Sequence, residues 1–190
     1  DDFVEIYNHS NKPLNLKNWM LANIDDDTVA NHKPVATSDL ILLPGEYLAF
    51  TTDKNALQQH YTQAAYARIV EIPALPSYNN DSGTVVLITN RNRISDRFSY
   101  MADAMHFPLL ESFDGVSLER MDFDRPTQDA GNWHSAAQQH GFATPGYVNS
   151  QYYPNANGDH VFGLGGELFS PDNDGYQDVM NFNYRFTETG

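Results

Sequence analysis

Residues 3–21 read FVEIYNHSNKPLNLKNWML and contain two short apolar segments joined by a polar link. In the first segment, Val4 and Ile6 fall on one face of an extended chain, and the residues beside and between them fall on the other. This alternation predicts a β-strand with one buried face and one partly exposed face. The link at residues 8–13 is rich in Asn and ends in Pro, so it predicts a turn before a second strand.

Short apolar runs of the same kind recur along the chain. They occupy residues 18–21, 40–43, 47–50, 85–89, 94–100 and 116–119. Many short strands separated by turn residues are typical of a β-sandwich or a β-barrel. Pro44-Gly45 stands between two of the runs and predicts a tight hairpin. The stretch at residues 72–83 contains two prolines and is predicted to be a loop, because proline cannot donate a ladder hydrogen bond.

The segment from Lys54 to Ala67 has a helical pattern, with apolar residues at every fourth position from Leu57. Thr52 or Asp53 stands before it as a candidate N-cap. We therefore predict one short helix inserted into a chain that is otherwise built of strands. The predicted fold class is all-β, a sandwich with this helix as an insertion.

Trp19 and two glycines are expected to shape the fold. Trp19 is flanked by Leu16 and Leu21, so its large apolar side chain is predicted to anchor the core rather than to stack on a ligand. Gly45 and Gly83 are predicted to adopt backbone conformations that residues with a side chain disfavour.

The length of 190 residues allows one hydrophobic core and a second small unit. The content of 41% hydrophobic and 13% aromatic residues indicates a folded chain. The composition changes near Asn149, after which residues 150–158 are polar and rich in turn-forming residues. We predict a β-sandwich domain over residues 2–149, a linker over residues 150–167, and a partial second β module or C-terminal extension over residues 168–190.

Charge and cysteine content argue against several kinds of partner and site. The chain has 25 acidic and 11 basic residues and a formal net charge of -14, so its average field repels nucleic acid and anionic lipid. Cysteine is absent, which excludes disulfides, thiolate zinc sites and a cysteine nucleophile. No stretch approaches the roughly 18 apolar residues of a spanning helix, so membrane insertion is not expected.

Several separated motifs resemble the lamin tail domain family. They are FVEIYN at residues 3–8, PLNLKNWML at 13–21, LPGEYL at 43–48, NDSGTVVL at 80–87, GVSLER at 115–120, and ATPG at 143–146 followed by Asn149. The family occurs in nuclear intermediate-filament proteins and in many secreted bacterial proteins. The resemblance implies an immunoglobulin-like β-sandwich over residues 2–149.

A shorter motif, FSPDNDGYQD at residues 169–178, is similar to the start of immunoglobulin-like C-terminal modules in surface proteins of bacteria. This pairing implies an exported bacterial protein, located outside the cell or at its surface, with neighbouring domains in the same longer chain. The 190 residues contain no heptad repeat of a coiled-coil rod. Filament assembly and chromatin binding are therefore not transferred from the lamins.

Three carboxylates near the C-terminus form the candidate metal site. Asp172, Asp174 and Asp178, with Gly175 after the second, approximate the opening of an oxygen-ligand calcium loop. An EF-hand is not expected, because its twelfth position falls on Asn183 instead of Glu. The functional interpretation is a structural calcium ion that stiffens a domain junction, and the alternative is a solvated acidic turn.

The other polar clusters predict no catalytic or cofactor site. Asp25-Asp26-Asp27 and Asn79-Asn80-Asp81 could each hold a cation, but solvated loops are the simpler interpretation. Residues 115–119, GVSLE, begin like a nucleophile elbow, but Glu119 replaces the closing glycine. Ser117 is instead expected to point at solvent or to bond a neighbouring residue.

The histidines and arginines also have plain interpretations. His134 and His140 show no zinc spacing, and His106 is predicted to be a satisfied, partly buried ring. A histidine could pair in space with Glu111, Asp114 or Asp129, which sequence cannot establish. The alternate arginines Arg91, Arg93 and Arg97 are predicted to line an exposed strand and to balance the acidic surface.

These observations favour a non-enzymatic module with a structural, adhesion or targeting role in a larger exported protein. It would present loops such as residues 25–34 and 72–83 to a protein, glycan or surface partner. Two alternatives stay open: an accessory domain of a metal-dependent phosphatase or nuclease, and a DNA-binding domain by analogy with lamins, which the net charge disfavours. The ligand itself does not follow from the fold.

Overall fold

The structure is a computed structural model that describes residues 2–153, 162–164, 169–172, 176–180 and 182–184. The strands are β1 (Phe3–Tyr7), β2 (Leu14–Asn15), β3 (Met20–Asp25), β4 (Thr28–Pro34), β5 (Ile41–Leu42), β6 (Tyr47–Thr51), β7 (Ile69–Glu71), β8 (Ser82–Ile88), β9 (Ile94–Met101), β10 (Leu118–Arg120), β11 (Trp133–Ser135), β12 (Phe162–Leu164) and β13 (Phe182–Tyr184). The α-helices are α1 (Lys54–His60) and α2 (Ala102–Met105), and 3₁₀ turns lie at Tyr66–Arg68, Ala130–Asn132 and Gln138–His140.

Two sheets face each other across a shared core. One sheet has the antiparallel order β4-β3-β8-β9, and the other has the order β1-β6-β7, with β6 antiparallel to β1 and parallel to β7. The central core consists of Leu16, Trp19, Leu21, Val35, Leu42, Leu48, Phe50 and Ile72. Both sheets contribute to it, which confirms the predicted all-β sandwich with short helices as insertions.

Strand β1 is covered on both faces. Val4 and Ile6 pack against the central core, as the alternation predicts. On the other face, Phe3 packs edge-on against Tyr61 with ring centroids 6.0 Å apart. Tyr7 stacks on the ring of Phe123. All five residues of β1 are half-buried, so the outer face is partly exposed as expected, although distant segments pack over it.

Helix α1 is shorter than the pattern predicts. The Asp53 carboxylate accepts a hydrogen bond from the Ala56 N–H at 2.8 Å, which confirms one of the two predicted N-caps. The α-helix ends at His60 because Tyr61 leaves the helical region, with φ -109° and ψ 87°. The buried Tyr61 ring then packs with Leu57 on the outer side of β6, and a separate 3₁₀ turn follows.

Residues 102–153, called here the covering segment, pack against both sheets. The Trp133 ring stacks on Phe98 of β9 at a centroid distance of 3.7 Å. The Phe123 ring stacks on Tyr7 of β1 at 4.0 Å. In the second half of the covering segment, β11 forms and pairs antiparallel with β10.

The core tryptophan is placed as predicted, and one glycine acts by a different mechanism. Trp19 is 9% exposed and belongs to the central core. Gly45 has a φ of 76° in the turn before β6, which confirms the conformational argument. At Gly83 a Cβ atom would lie 2.6 Å from the Tyr100 hydroxyl oxygen, so a side chain there would displace the Tyr100 ring, and the reason for glycine is close packing and not an unusual φ.

The C-terminal part contains a separate strand pair. Strands β12 and β13 pair antiparallel, with Phe162 opposite Tyr184. Strand β12 lies within the stretch predicted as a linker, residues 150–167, while the division into two domains stays a prediction. None of the described helices has the length and apolarity that crossing a bilayer requires.

Candidate functional site

A large groove runs along β1 between the two sheets. Its volume is about 1010 Å³, at the upper end of the ~300–1,000 Å³ typical of ligand pockets. We call it the β1 groove; β1, β9 and residues 78–81 and 111–120 form its walls. Val85, Leu87 and Phe98 contribute its accessible apolar floor, and the buried core residues Trp19 and Leu21 lie behind them.

The rim of the β1 groove is acidic. Exposed carboxylates stand at Asp2, Asp81, Glu111 and Asp114. The guanidinium groups of Arg97 and Arg120 also line it, so among the described lining residues the acidic groups outnumber the arginines. This field favours cationic partners.

Two carboxylates beneath the groove hold the end of the covering segment. The Glu5 carboxylate of β1 accepts a hydrogen bond from the Gly146 N–H at 2.6 Å. Glu119 of β10 is buried and accepts from the Thr144 hydroxyl at 2.6 Å and from the Ser150 hydroxyl at 2.7 Å. Residues 144–150 are thereby joined to strands from two separate parts of the chain.

The environment of these groups favours their protonated forms. Burial raises the pKa of Glu5 well above its usual value; the Gly146 N–H opposes this effect, and the neighbouring Glu119 carboxylate adds to it. Burial likewise raises the pKa of Glu119, against the effect of its hydrogen bonds. Between the unfolded and the folded pKa, Glu5 and Glu119 are therefore protonated in the folded chain and ionised in the unfolded chain. This contribution to stability is complete below the unfolded pKa of about 4.3 and is lost as the pH rises through the folded pKa.

Replacing Glu5 by Gln is expected to raise the free energy of unfolding at pH 7 and to change it little near pH 4.5. Gln keeps an oxygen acceptor for the Gly146 N–H and removes the buried charge. One such group alters the slope of stability against pH by up to about 1.4 kcal/mol per pH unit. Urea unfolding followed by circular dichroism between pH 4.5 and 8 measures this slope.

Glu46 is the matched control, with the opposite sign. It accepts from the Arg68 guanidinium at 2.5 Å and from the Leu43 N–H at 2.9 Å, and these bonds lower its pKa. Its contribution is present above the unfolded pKa and is lost as the pH falls, so Glu46→Gln should destabilise the fold at pH 7. An equal gain for Glu5→Gln at every pH would contradict the assignment of the buried charge.

The nucleophile-elbow residues do not form a reactive centre. Ser117 precedes β10 and its hydroxyl is buried with no hydrogen-bond partner among the described residues. The expectation that it points at solvent or bonds a neighbour is therefore wrong. Glu119 lies opposite His134 in the β10–β11 pair, but its carboxylate oxygens are bonded to the covering segment.

His106 is a satisfied, mostly buried ring, as predicted. It is 9% exposed, its Nδ1 lies 3.0 Å from the Ser135 hydroxyl, and it stacks on Phe113. Burial lowers its pKa. His140 instead contacts Gln63 through its Nδ1 at 3.2 Å.

Among the remaining candidates, two expectations need correction. Asp129 pairs with Arg125 at 2.7 Å and not with a histidine. Arg91 and Arg93 lie in the turn between β8 and β9, and only Arg97 belongs to the strand, so the arginines do not alternate along one exposed strand.

The acidic loops lie on the surface. Asp26 and Asp27 form the turn between β3 and β4 with φ angles of 45° and 59°, and both are exposed. Within the described ranges, no three His, Asp or Glu residues are grouped so that they could hold a metal ion.

The predicted calcium site is only partly visible. Asp172 is exposed and accepts a weak hydrogen bond from the Ser170 hydroxyl at 3.4 Å. Asp174 and Asn183's side chain lie outside what the structure describes, and Asp178 has a further interaction of its own. Calcium binding by Asp172, Asp174 and Asp178 stays a prediction.

Comparison with known proteins places the first half of the chain in a family. The model of a family described as the lamin tail domain matches residues 1–102, which is more than half of the 190 residues. No curated protein matches the chain. The match ends at the first residue of α2, so the motifs at residues 115–120 and 143–146 lie beyond it.

Proposed function

The chain belongs to the lamin tail domain family of non-catalytic, immunoglobulin-like domains, and from this premise we propose that it is a binding and tethering module. In this proposal it is part of a larger exported bacterial protein, outside the cell or at its surface. Its partner is a protein, a glycan or a surface that two adjoining loops contact. The module itself carries out no reaction.

The observation that supports this proposal is a rigid junction between those two loops. The first, residues 25–34, is not a loop throughout as predicted, because Thr28–Pro34 form β4 of the β3–β4 hairpin. The second is the loop at residues 72–81. The Asn23 amide donates to the Ser77 carbonyl at 2.8 Å and accepts from the Asn31 amide at 3.0 Å. The Tyr78 hydroxyl donates to the Ala22 carbonyl at 3.1 Å. A loop surface held in one conformation loses little entropy on binding.

The exposed residues of this loop surface are polar. Asp25, His32, Ser77 and Asn80 are all exposed. Short polar side chains on a preorganised frame suit adaptable hydrogen bonding to a protein or a sugar. Because the hydrogen bonds of Asn23 and Tyr78 hold the frame, side chains on its surface can be replaced without loosening it.

We expect His32→Ala combined with Ser77→Ala to abolish partner capture without changing the melting temperature by more than about 2 °C. Surface substitutions that break no buried contact usually change stability by less than about 0.5 kcal/mol. Glycan arrays and pull-downs from the native extracellular material measure the capture. Asn11→Ala combined with Gln138→Ala, which are exposed positions outside the two loops, is the control. Well-folded protein that captures nothing on either platform would leave only a spacer role.

A further inference from the structure

Strand β1 has an edge whose backbone groups are unpaired in the described part of the chain. β1 pairs with β6 on one side only. The Asn8 N–H donates to the Glu46 carbonyl, and the Asn8 carbonyl accepts from the Gly45 N–H. The backbone groups of Asn8 therefore point toward the chain that leads into β6. In an antiparallel pair the residues that face the partner alternate. The N–H and C=O groups of Phe3, Glu5 and Tyr7 therefore point away from β6, along the β1 groove.

The edge strand of the other sheet on the same side of the sandwich, β9, is protected, which makes the open edge of β1 notable. The Gln128 side chain donates to the Arg97 carbonyl at 3.0 Å and accepts from the Ser99 N–H at 3.2 Å. This amide takes the place of a neighbouring strand along β9. Unpaired edges invite pairing with another chain, and proteins usually block them. No equivalent side chain bonds the outer backbone groups of β1 among the described residues.

The space beside this edge suits a strand. The β1 groove has a volume of about 1010 Å³, and a strand of five residues, the length of β1, spans ~17 Å. A chain added beside β1 would direct alternate side chains toward the half-buried apolar residues Val85, Leu87 and Phe98 of the floor. The other side chains would face residues 111–117, which include the unpartnered Ser117 hydroxyl.

The charge of the rim selects among extended peptides. The carboxylates of Asp2, Asp81, Glu111 and Asp114 surround the groove, and the whole chain carries a net charge of -14. Lysine or arginine side chains at the positions that face away from the floor would meet this field. An acidic peptide would be repelled.

We propose that the β1 groove binds an extended basic peptide that adds to the edge of β1 as a strand. Main-chain hydrogen bonds to Phe3, Glu5 and Tyr7 hold the peptide, its alternate apolar side chains fill the floor, and its basic side chains face the acidic rim. This site shares residues 78–81 with the surface of residues 25–34 and 72–81, but its backbone contacts are to β1 and do not depend on what that surface binds.

The probe is a fluorescein-labelled, amidated hexapeptide of alternating lysine and valine, titrated with the full chain at low ionic strength. Fluorescence anisotropy is expected to show saturable binding that weakens as salt is added. Hydrogen exchange measured by NMR should show the Glu5 and Tyr7 amides slowed at least tenfold by the peptide. The Val4 and Ile6 amides already bond β6 and should change little. If the peptide slows exchange of the Val4 and Ile6 amides as much as that of the Glu5 and Tyr7 amides, or slows neither pair, strand addition is overturned.

Two further peptides separate the contributions. The same hexapeptide with N-methyl groups on the amides of one edge keeps its charge but cannot pair, and it should bind at least tenfold more weakly. A hexapeptide of alternating glutamate and valine should show no binding. Equal affinity of the methylated peptide would refute the backbone pairing, and binding of the acidic peptide would refute the role of the rim.

Variants of the chain locate the site. Asp114→Lys changes an exposed rim residue and is expected to weaken binding of the lysine–valine peptide about threefold. Asp25→Lys makes the same charge change at an exposed position in the β3–β4 hairpin and should have a smaller effect. Equal effects would show attraction by net charge alone and would overturn the groove as the site. The two proposals can fail separately. If the loop variants affect no partner but the peptide binds the β1 groove as described, the loop proposal fails and strand addition at β1 remains.

Discussion

A chain that ends at residue 102 is expected to lose cooperative folding, although the family match ends there. The truncation removes Trp133 from Phe98 and Phe123 from Tyr7, and it leaves Glu5 without the Gly146 N–H. Full burial of an aromatic side chain contributes about 1.5–3 kcal/mol, and each of these half-buried rings contributes part of that amount. The losses at these sites together are therefore comparable with a large part of the ~5–15 kcal/mol free energy of unfolding of a domain.

The comparison is between chains ending at residues 102 and 153. Urea unfolding followed by circular dichroism should show one cooperative transition for the longer chain and a broad or absent transition for the shorter chain. A chain ending at 153 that matches the full-length protein would show that the covering segment completes the folding unit. Equal midpoints for both truncated chains would contradict the prediction.

Replacing Trp19 by Ala is expected to lower the free energy of unfolding by about 3–5 kcal/mol, the usual cost of removing a buried aromatic side chain from a core. Trp19 is 9% exposed and packs in the central core between the two sheets. The cavity left by the indole cannot be filled without moving both sheets, because protein interiors are closely packed. Chemical denaturation gives the change directly.

The second tryptophan provides the control. The chain has two tryptophans. Trp133, in the covering segment, is partly exposed and stacks on Phe98 of β9. Trp133→Ala should cost less than Trp19→Ala, and Trp19→Phe should also cost less. With one tryptophan left in each variant, fluorescence reports the core or the covering segment alone. Equal costs for Trp19→Ala and Trp133→Ala would contradict the assignment of Trp19 as the core anchor.

Local patterns predicted the features that depend on neighbouring residues. The alternation in residues 3–7 predicted β1, and the polar residue before Lys54 predicted the N-cap that Asp53 provides. Trp19 was predicted in the core and His106 as a satisfied ring. Such features follow from strand periodicity, capping and apolar content, which act over a few residues.

The candidate site depends on contacts that no local pattern contains. Nothing near Gln128 indicates that its amide would cap the edge of β9, and nothing near Ser117 indicates a buried hydroxyl without a partner among the described residues. The β1 groove arises where strands far apart in the chain meet at the side of the sandwich. The sequence carried a signal only for β1 itself. Its alternating pattern predicts a strand but does not show which edge of that strand is paired.

The sequence by itself determined many of the strands, the place of Trp19 in the core and the acidic net charge, because these depend on composition and on short-range periodicity. It did not predict β4, β7 or β11. The tertiary structure alone decided what lies over β1 and which edge is open. Glu5 and Gly146 are 141 residues apart in the chain and form one hydrogen bond. A contact of that separation depends on the path of the whole chain, so the enclosure of the Glu5 carboxylate and the exposure of the β1 edge follow only from the assembled sheets.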